Sequence, residues 1–145
     1  MRKPHTTRVV GWVLALVALA LVGCSTVQLK AVQSRTVAEN WARVEVGEVS
    51  GDILTFQVYN LSKLNLVILR DKIVLETPTG RRGREPGGAS NYYNVAPGAM
   101  HDVKVKFDFS DCAGGQEVKV RFDSALVADG APIPIAPISF TCQSR

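Results

Sequence analysis

The side chains best suited to covalent chemistry in this 145-residue chain are few: three cysteines, Cys24, Cys112 and Cys142, and two histidines, His5 and His101. Ser-His-Asp catalysis needs an imidazole within reach of a nucleophile. His5 lies in a basic N-terminal segment. His101 opens an alternating stretch on its apolar side beside Met100, which suits a histidine at the edge of a core. Beyond the N-terminal segment there is no G-x-S-x-G elbow, no S-x-x-K pair, no H-E-x-x-H helix and no Walker A loop. The carboxylates Asp102, Asp108, Glu117 and Asp123 alternate with Lys104, Lys106, Lys119 and Arg121, the pattern of a solvated sheet face. No catalytic residue and no metal ligand set is assigned, and the chain is not expected to be an enzyme. One segment could bind rather than react. TPTGRRGREPGGASNYYN, residues 77–94, packs Arg81, Arg82 and Arg84 among glycines and follows them with Tyr92 and Tyr93. Guanidinium groups form paired hydrogen bonds with phosphate and carboxylate. Loop 78–91 is therefore a possible binding loop for an anionic glycan, lipid or small ligand. The alternative is a surface loop kept soluble by its arginines, with Tyr92 and Tyr93 starting the next strand.

The first cysteine has a distinctive setting. The chain opens MRKPHTTR, basic and without an acid, and continues VVGWVLALVALALVG, fifteen uncharged residues from Val9 to Gly23. A bilayer-spanning helix needs about 20 apolar residues, so a membrane anchor is the lesser alternative. A basic stretch, an apolar stretch and small residues at the exit have the layout of a secretory signal.

The residues Leu21, Val22, Gly23 and Cys24 resemble the lipobox of bacterial lipoproteins. In that family a lipid joins the cysteine sulfur and a signal peptidase cuts just before it. The resemblance covers residues 1–25. It implies a signal peptide over 1–23, lipidation of Cys24, and a membrane anchor built from acyl chains such as palmitate, because two or three buried chains hold where one does not. Ser25 is not the aspartate that retains such proteins at the inner membrane, which implies the outer membrane of a Gram-negative envelope, facing the periplasm or the surface. The covalent lipid is the only attached group expected; no cofactor is.

Loss of the signal changes the electrostatics. The full chain carries 17 Lys and Arg against 13 Asp and Glu, and removing Arg2, Lys3 and Arg8 leaves 14 against 13. The global basic charge that marks nucleic-acid binding disappears, and no nucleic-acid partner is expected.

Residues 24–40 read as a lipidated N-terminus and tether, with a first edge strand from Val27, Leu29 and Ala31 as the alternative. From Trp41 onward the period is two. ILTFQVYN places Leu54, Phe56 and Val58 on one face; LNLVILR is apolar on both; DKIVLETP stops at Pro78. HDVKVKFDF alternates over 101–109, QEVKVRFD over 116–123, and IPIAPISFTC is rich in proline and β-branched residues. No convincing helical stripe appears. About seven short strands with turn signals every 8 to 12 residues predict an all-β, antiparallel immunoglobulin-like β-sandwich over 41–145.

Lipidation uses the odd cysteine and leaves Cys112 and Cys142, an even number in an oxidising compartment, which predicts a disulfide between them. Two free or metal-bound thiols are the alternative, but zinc needs two further ligands and His101 is the sole histidine left. Strands 101–109 and 116–123 are expected to form a hairpin with Phe109 opposite Val118. That register sets Asp108 against Lys119 and Lys104 against Asp123. The expected function is a membrane-anchored, non-enzymatic accessory or protein-binding module of the cell envelope, with an envelope protein as partner.

Overall fold

A computed structural model of the chain describes residues 27–88 and 90–144. The expected signal peptide 1–23, the lipobox-like residues 21–24 and the expected lipidation site Cys24 lie outside the described residues.

Each stretch of period-two patterning contains a strand. In chain order the strands are β1 (Val27–Ala31), β2 (Arg35–Ala38), β3 (Ala42–Ser50), β4 (Ile53–Asn60), β5 (Leu66–Leu69), β6 (Val74–Thr77), β7 (Gly80–Gly83), β8 (Tyr92–Val95), β9 (Met100–Lys106), β10 (Glu117–Arg121), β11 (Leu126–Ala128), β12 (Ala131–Pro132) and β13 (Ile138–Ser144). A 3-10 turn, Arg70–Lys72, links β5 to β6. The fold is all-β, and every strand pairing is antiparallel. The first sheet runs β1-β13-β10-β6-β7, the second β2-β3-β4-β9 and the third β12-β11-β5-β8. The described residues thus hold thirteen strands in three sheets rather than about seven. The count rises because strands also form within 24–40 (β1, β2), within loop 78–91 (β7), and between 116–123 and the last strand (β11, β12).

Alternation decides which side chains are inside. In β4 the even positions Leu54, Phe56, Val58 and Asn60 are buried, and in β9 Val103 and Val105 are buried between exposed Asp102, Lys104 and Lys106. Phe56 of β4 meets Phe122 edge-on at 5.1 Å and Phe140 of β13 at 6.4 Å, so the first two sheets share one core. Each such side chain contributes roughly 1.5–3 kcal/mol on burial. β3 takes an extra residue between Val46 and Glu48, and the residue there is Gly47. A Cβ at Gly47 would stand 3.3 Å from the Thr55 carbonyl oxygen, so the bulge sits where a side chain would crowd the neighbouring strand.

Three expectations need correction. The tether over 24–40 gives way to strand from Val27 on: β1 completes the edge of the first sheet against β13, and Leu29 is 5% exposed. The alternation of Val27, Leu29 and Ala31 was the stronger signal, because it offered β13 a partner and the core an extra side chain. The segment 77–94 is not strandless, since Gly80–Gly83 turns back on β6 as β7. The hairpin of 101–109 with 116–123 does not form. β9 pairs with β4, whereas β10 lies between β13 and β6, in a different sheet. Phe107 and Phe109 are both buried beyond the end of β9, so the chain runs on through the core instead of turning.

That run ends at the disulfide. Cys112 and Cys142 are bridged with Cα atoms 6.2 Å apart, 30 residues apart in sequence. The Cys142 N–H donates to Gln116 and the Gly115 N–H to Cys142, so the loop before β10 is sewn to β13 by backbone bonds as well.

Candidate functional site

The three arginines of the expected binding loop are committed within the fold. Arg81 Nε lies 3.3 Å from Glu76, its neighbour across the β6–β7 ladder. Arg82 grips both carboxylate oxygens of Asp111, at 2.6 and 2.5 Å, and donates to the Asp108 carbonyl at 3.0 Å. That pairing raises the Arg82 pKa and holds the Asp111 carboxyl below the usual carboxylate range. Arg84 binds Asp71 at 2.5 Å, the Asn91 side chain, and the carbonyls of Glu85 and Gly87. The hollow beside Arg82, lined also by Thr77, Asp111 and Cys112, encloses only about 70 Å³. Tyr92 projects into solvent, whereas Tyr93 turns the other way and packs on His101, with ring centroids 4.3 Å apart and planes tilted by 34°. The five residues proposed from sequence do not converge on one ligand.

A different set of residues does converge. A cleft of about 510 Å³ lies between β9 and the segment Glu85–Gly88, walled further by Arg70 and Tyr93. Its size falls within the range of ligand sites, about 300–1,000 Å³. One end is closed where the Glu85 N–H donates to the Lys106 carbonyl at 2.8 Å. There Lys106 Nζ sits 3.2 Å from both Glu85 and Asp52, and those two hydrogen-bonded carboxylates raise its pKa. The wall is held by Arg70, 5% exposed, whose guanidinium donates to the carbonyls of Gly87 at 2.8 Å and Ser90 at 3.4 Å. Gly88 has φ of +86°, and a Cβ there would stand 2.7 Å from Arg70 Nη2. Only glycine both takes that conformation without strain and lets the backbone lie on the guanidinium.

β9 supplies the other side, and its backbone is the notable feature. β9 is the end strand of its sheet, bonded to β4 alone. In an antiparallel strand the N–H and C=O of one residue point to the same side. The Phe107 N–H bonds Asp52 on the β4 side, and the Lys106 carbonyl bonds Glu85 on the opposite side. By alternation, the N–H and C=O of Lys104 and Asp102 also face away from β4, into the cleft. Among the described residues these four groups have no backbone partner, and the exposed side chains of Lys104 and Asp102 are in no ion pair.

The sequence placed Lys104 and Asp102 on a solvated face, which they occupy, but gave no sign of the cleft. Its parts come from positions 53, 70, 85–88, 93 and 101–106, and no local spacing joins them. The closest hint was Pro86-Gly87-Gly88, a run that suits an unusual backbone path. His101 packs on Tyr93 and makes no hydrogen bond to a serine, threonine or cysteine among the described residues. No group of three or more His, Cys, Asp or Glu side chains is placed to hold a metal ion among them. Comparisons with protein-family models, with curated proteins and with solved structures gave no match.

Proposed function

We propose that this chain is a lipid-anchored envelope protein, held at the outer membrane through Cys24, whose immunoglobulin-like β-sandwich binds a protein partner and performs no catalysis. The anchor rests on the basic and apolar N-terminal stretches followed by Leu21-Val22-Gly23-Cys24, and the Cys112–Cys142 bridge is in keeping with an oxidising compartment. The sandwich reading rests on the first two sheets meeting through Phe56, Phe122 and Phe140. The observation that carries the binding role is the open edge of β9 along the cleft. Proteins normally blunt such edges, and an uncovered one is a template for pairing with another chain. An anionic ligand held by loop 78–91 is the weaker reading, because Arg81, Arg82 and Arg84 already face carboxylates of their own chain.

Labelled fatty acid and the size of the product test the anchor: wild type is expected to take up label and be cleaved before Cys24, and Cys24→Ser to stay unlabelled as an uncleaved precursor. A Cys24→Ser protein that is labelled and processed normally removes the anchor. Capture from envelope membranes of full-length wild type beside a Lys104→Glu variant tests the binding role. A set of captured proteins indifferent to that substitution removes it.

A further inference from the structure

We propose that β9 receives one extended strand of the partner, antiparallel, with an acidic residue opposite Lys104 and a basic residue two positions later opposite Asp102. This rests on the binding role above and specifies its chemistry. The N–H and C=O of Asp102 and Lys104 offer four hydrogen bonds along the cleft, the recognition mode in which main-chain pairing gives affinity and alternate side chains give specificity. Directly opposed residues share a face of the sheet. The partner's side chains opposite Lys104 and Asp102 therefore lie on the outer face, beside an ammonium and a carboxylate that lack ion pairs among the described residues. The side chain between them, opposite Val103, faces inward toward the Tyr93–His101 stack, which suits an apolar residue. At about 3.3 Å per residue the segment from Asp102 to Lys104 specifies three partner residues, acid-apolar-base. The ladder stops at Lys106, whose carbonyl is already taken by Glu85.

β9 itself carries this pattern as Asp102-Val103-Lys104, so a second copy paired about Val103 would match the charges. The segment Glu85–Gly88 stands on that side of β9 and bonds to its end. The cleft between them encloses about 510 Å³, the volume of a few residues of a single strand and far less than a folded sheet. The occupant is therefore an extended segment of another protein.

Two capped peptides of one composition test the register: acetyl-Thr-Glu-Val-Lys-Thr-amide and acetyl-Thr-Lys-Val-Glu-Thr-amide. Each is titrated into the full-length chain in detergent while the backbone amide signals of Asp102 and Lys104 are followed by NMR. The first peptide is expected to shift those amides and to saturate at roughly tenfold lower concentration than the second, since matched and mismatched cross-strand charges differ by that order. The double variant Asp102→Lys with Lys104→Asp should reverse the preference. Lys104→Pro removes one outward donor at an edge position that tolerates proline, and should abolish binding while the melting temperature stays close to wild type. Equal affinity for the two peptides, or shifts confined to other strands, overturns the proposal. So does a dimer that Lys104→Asp dissociates, because the second copy is then the occupant. If neither peptide binds although partner capture still depends on Lys104, the strand register fails and the binding role stands; if capture is indifferent too, both fail.

Discussion

Arg121 closes side-on onto Glu76, with Nε 2.6 Å from Oε2 and Nη2 3.2 Å from Oε1. The two are diagonal neighbours on β10 and β6, where Lys119 stands directly opposite Glu76 and Val74 opposite Arg121. Arg81 approaches the same carboxylate from β7. Two strands of the first sheet, β10 and β7, thus bring arginines to one acid on β6 between them.

That acid sets a pH dependence. The hydrogen bond from Arg121 holds the Glu76 carboxyl below its ordinary value of 4.5. A carboxyl depressed in the folded state stabilises fully above its unfolded pKa and loses the contribution as pH falls through the folded one. In thermal melts from pH 7 to pH 2, wild type should lose stability relative to Glu76→Gln below about pH 4.5, and the two curves should converge at the acid end. Asp108 and Asp111 are depressed as well, so some acid sensitivity survives in the variant. Parallel curves throughout would sink the assignment to Glu76.

The disulfide closes a 30-residue separation. In the chain-entropy model such a crosslink stabilises by roughly 3–4 kcal/mol. Denaturant titration of the Cys112→Ala, Cys142→Ala double variant should show a loss of that order. Alkylation of denatured, unreduced protein should leave both positions unmodified, and modification at either would end the assignment.

Asn60, 1% exposed, organises the turn after β4. Its Nδ2 donates to the carbonyls of Leu64 at 2.6 Å and Val95 at 2.9 Å, and its Oδ1 accepts from the Ser62 N–H at 2.9 Å and hydroxyl at 2.7 Å. Removing the amide takes its bonds from the Val95 carbonyl and the Ser62 N–H and leaves the Leu64 carbonyl with only the Ser62 hydroxyl at 3.1 Å, so Asn60→Ala should destabilise by about 2–4 kcal/mol. Hydrogen exchange at Ser62 and Leu64 should quicken while exchange in β10 follows global stability alone. A loss below about 1 kcal/mol would mean that water replaces the side chain without cost.

The strands were legible and their partners were not. Alternation such as Val103, Val105 against Lys104, Lys106 states which face is buried, because the side-chain period of a strand is two. It carries no term for the neighbour. The charge rule that paired β9 with β10 was applied to segments close in sequence, but Arg121 found its acid 45 residues away at Glu76. Lys104 and Asp102 face neutral Thr55 and Gln57 across β4. The disulfide was legible because compartment and parity leave two cysteines one choice. The cleft was not, since an edge exists only once the order of strands is known.

Force has a defined route through this fold. β1 has one ladder, of five residue pairs to β13, and Leu29 in its centre stands opposite Cys142. Tension drawn along the chain from ahead of Val27, parallel to the strand, shears those pairs together instead of peeling them singly. From β13 it passes into the sulfur bridge and so to the loop that follows β9. The head of β1 and the edge strand β9 are thus joined by a ladder and a covalent strut, along a path that includes the buried Phe107 and Phe109.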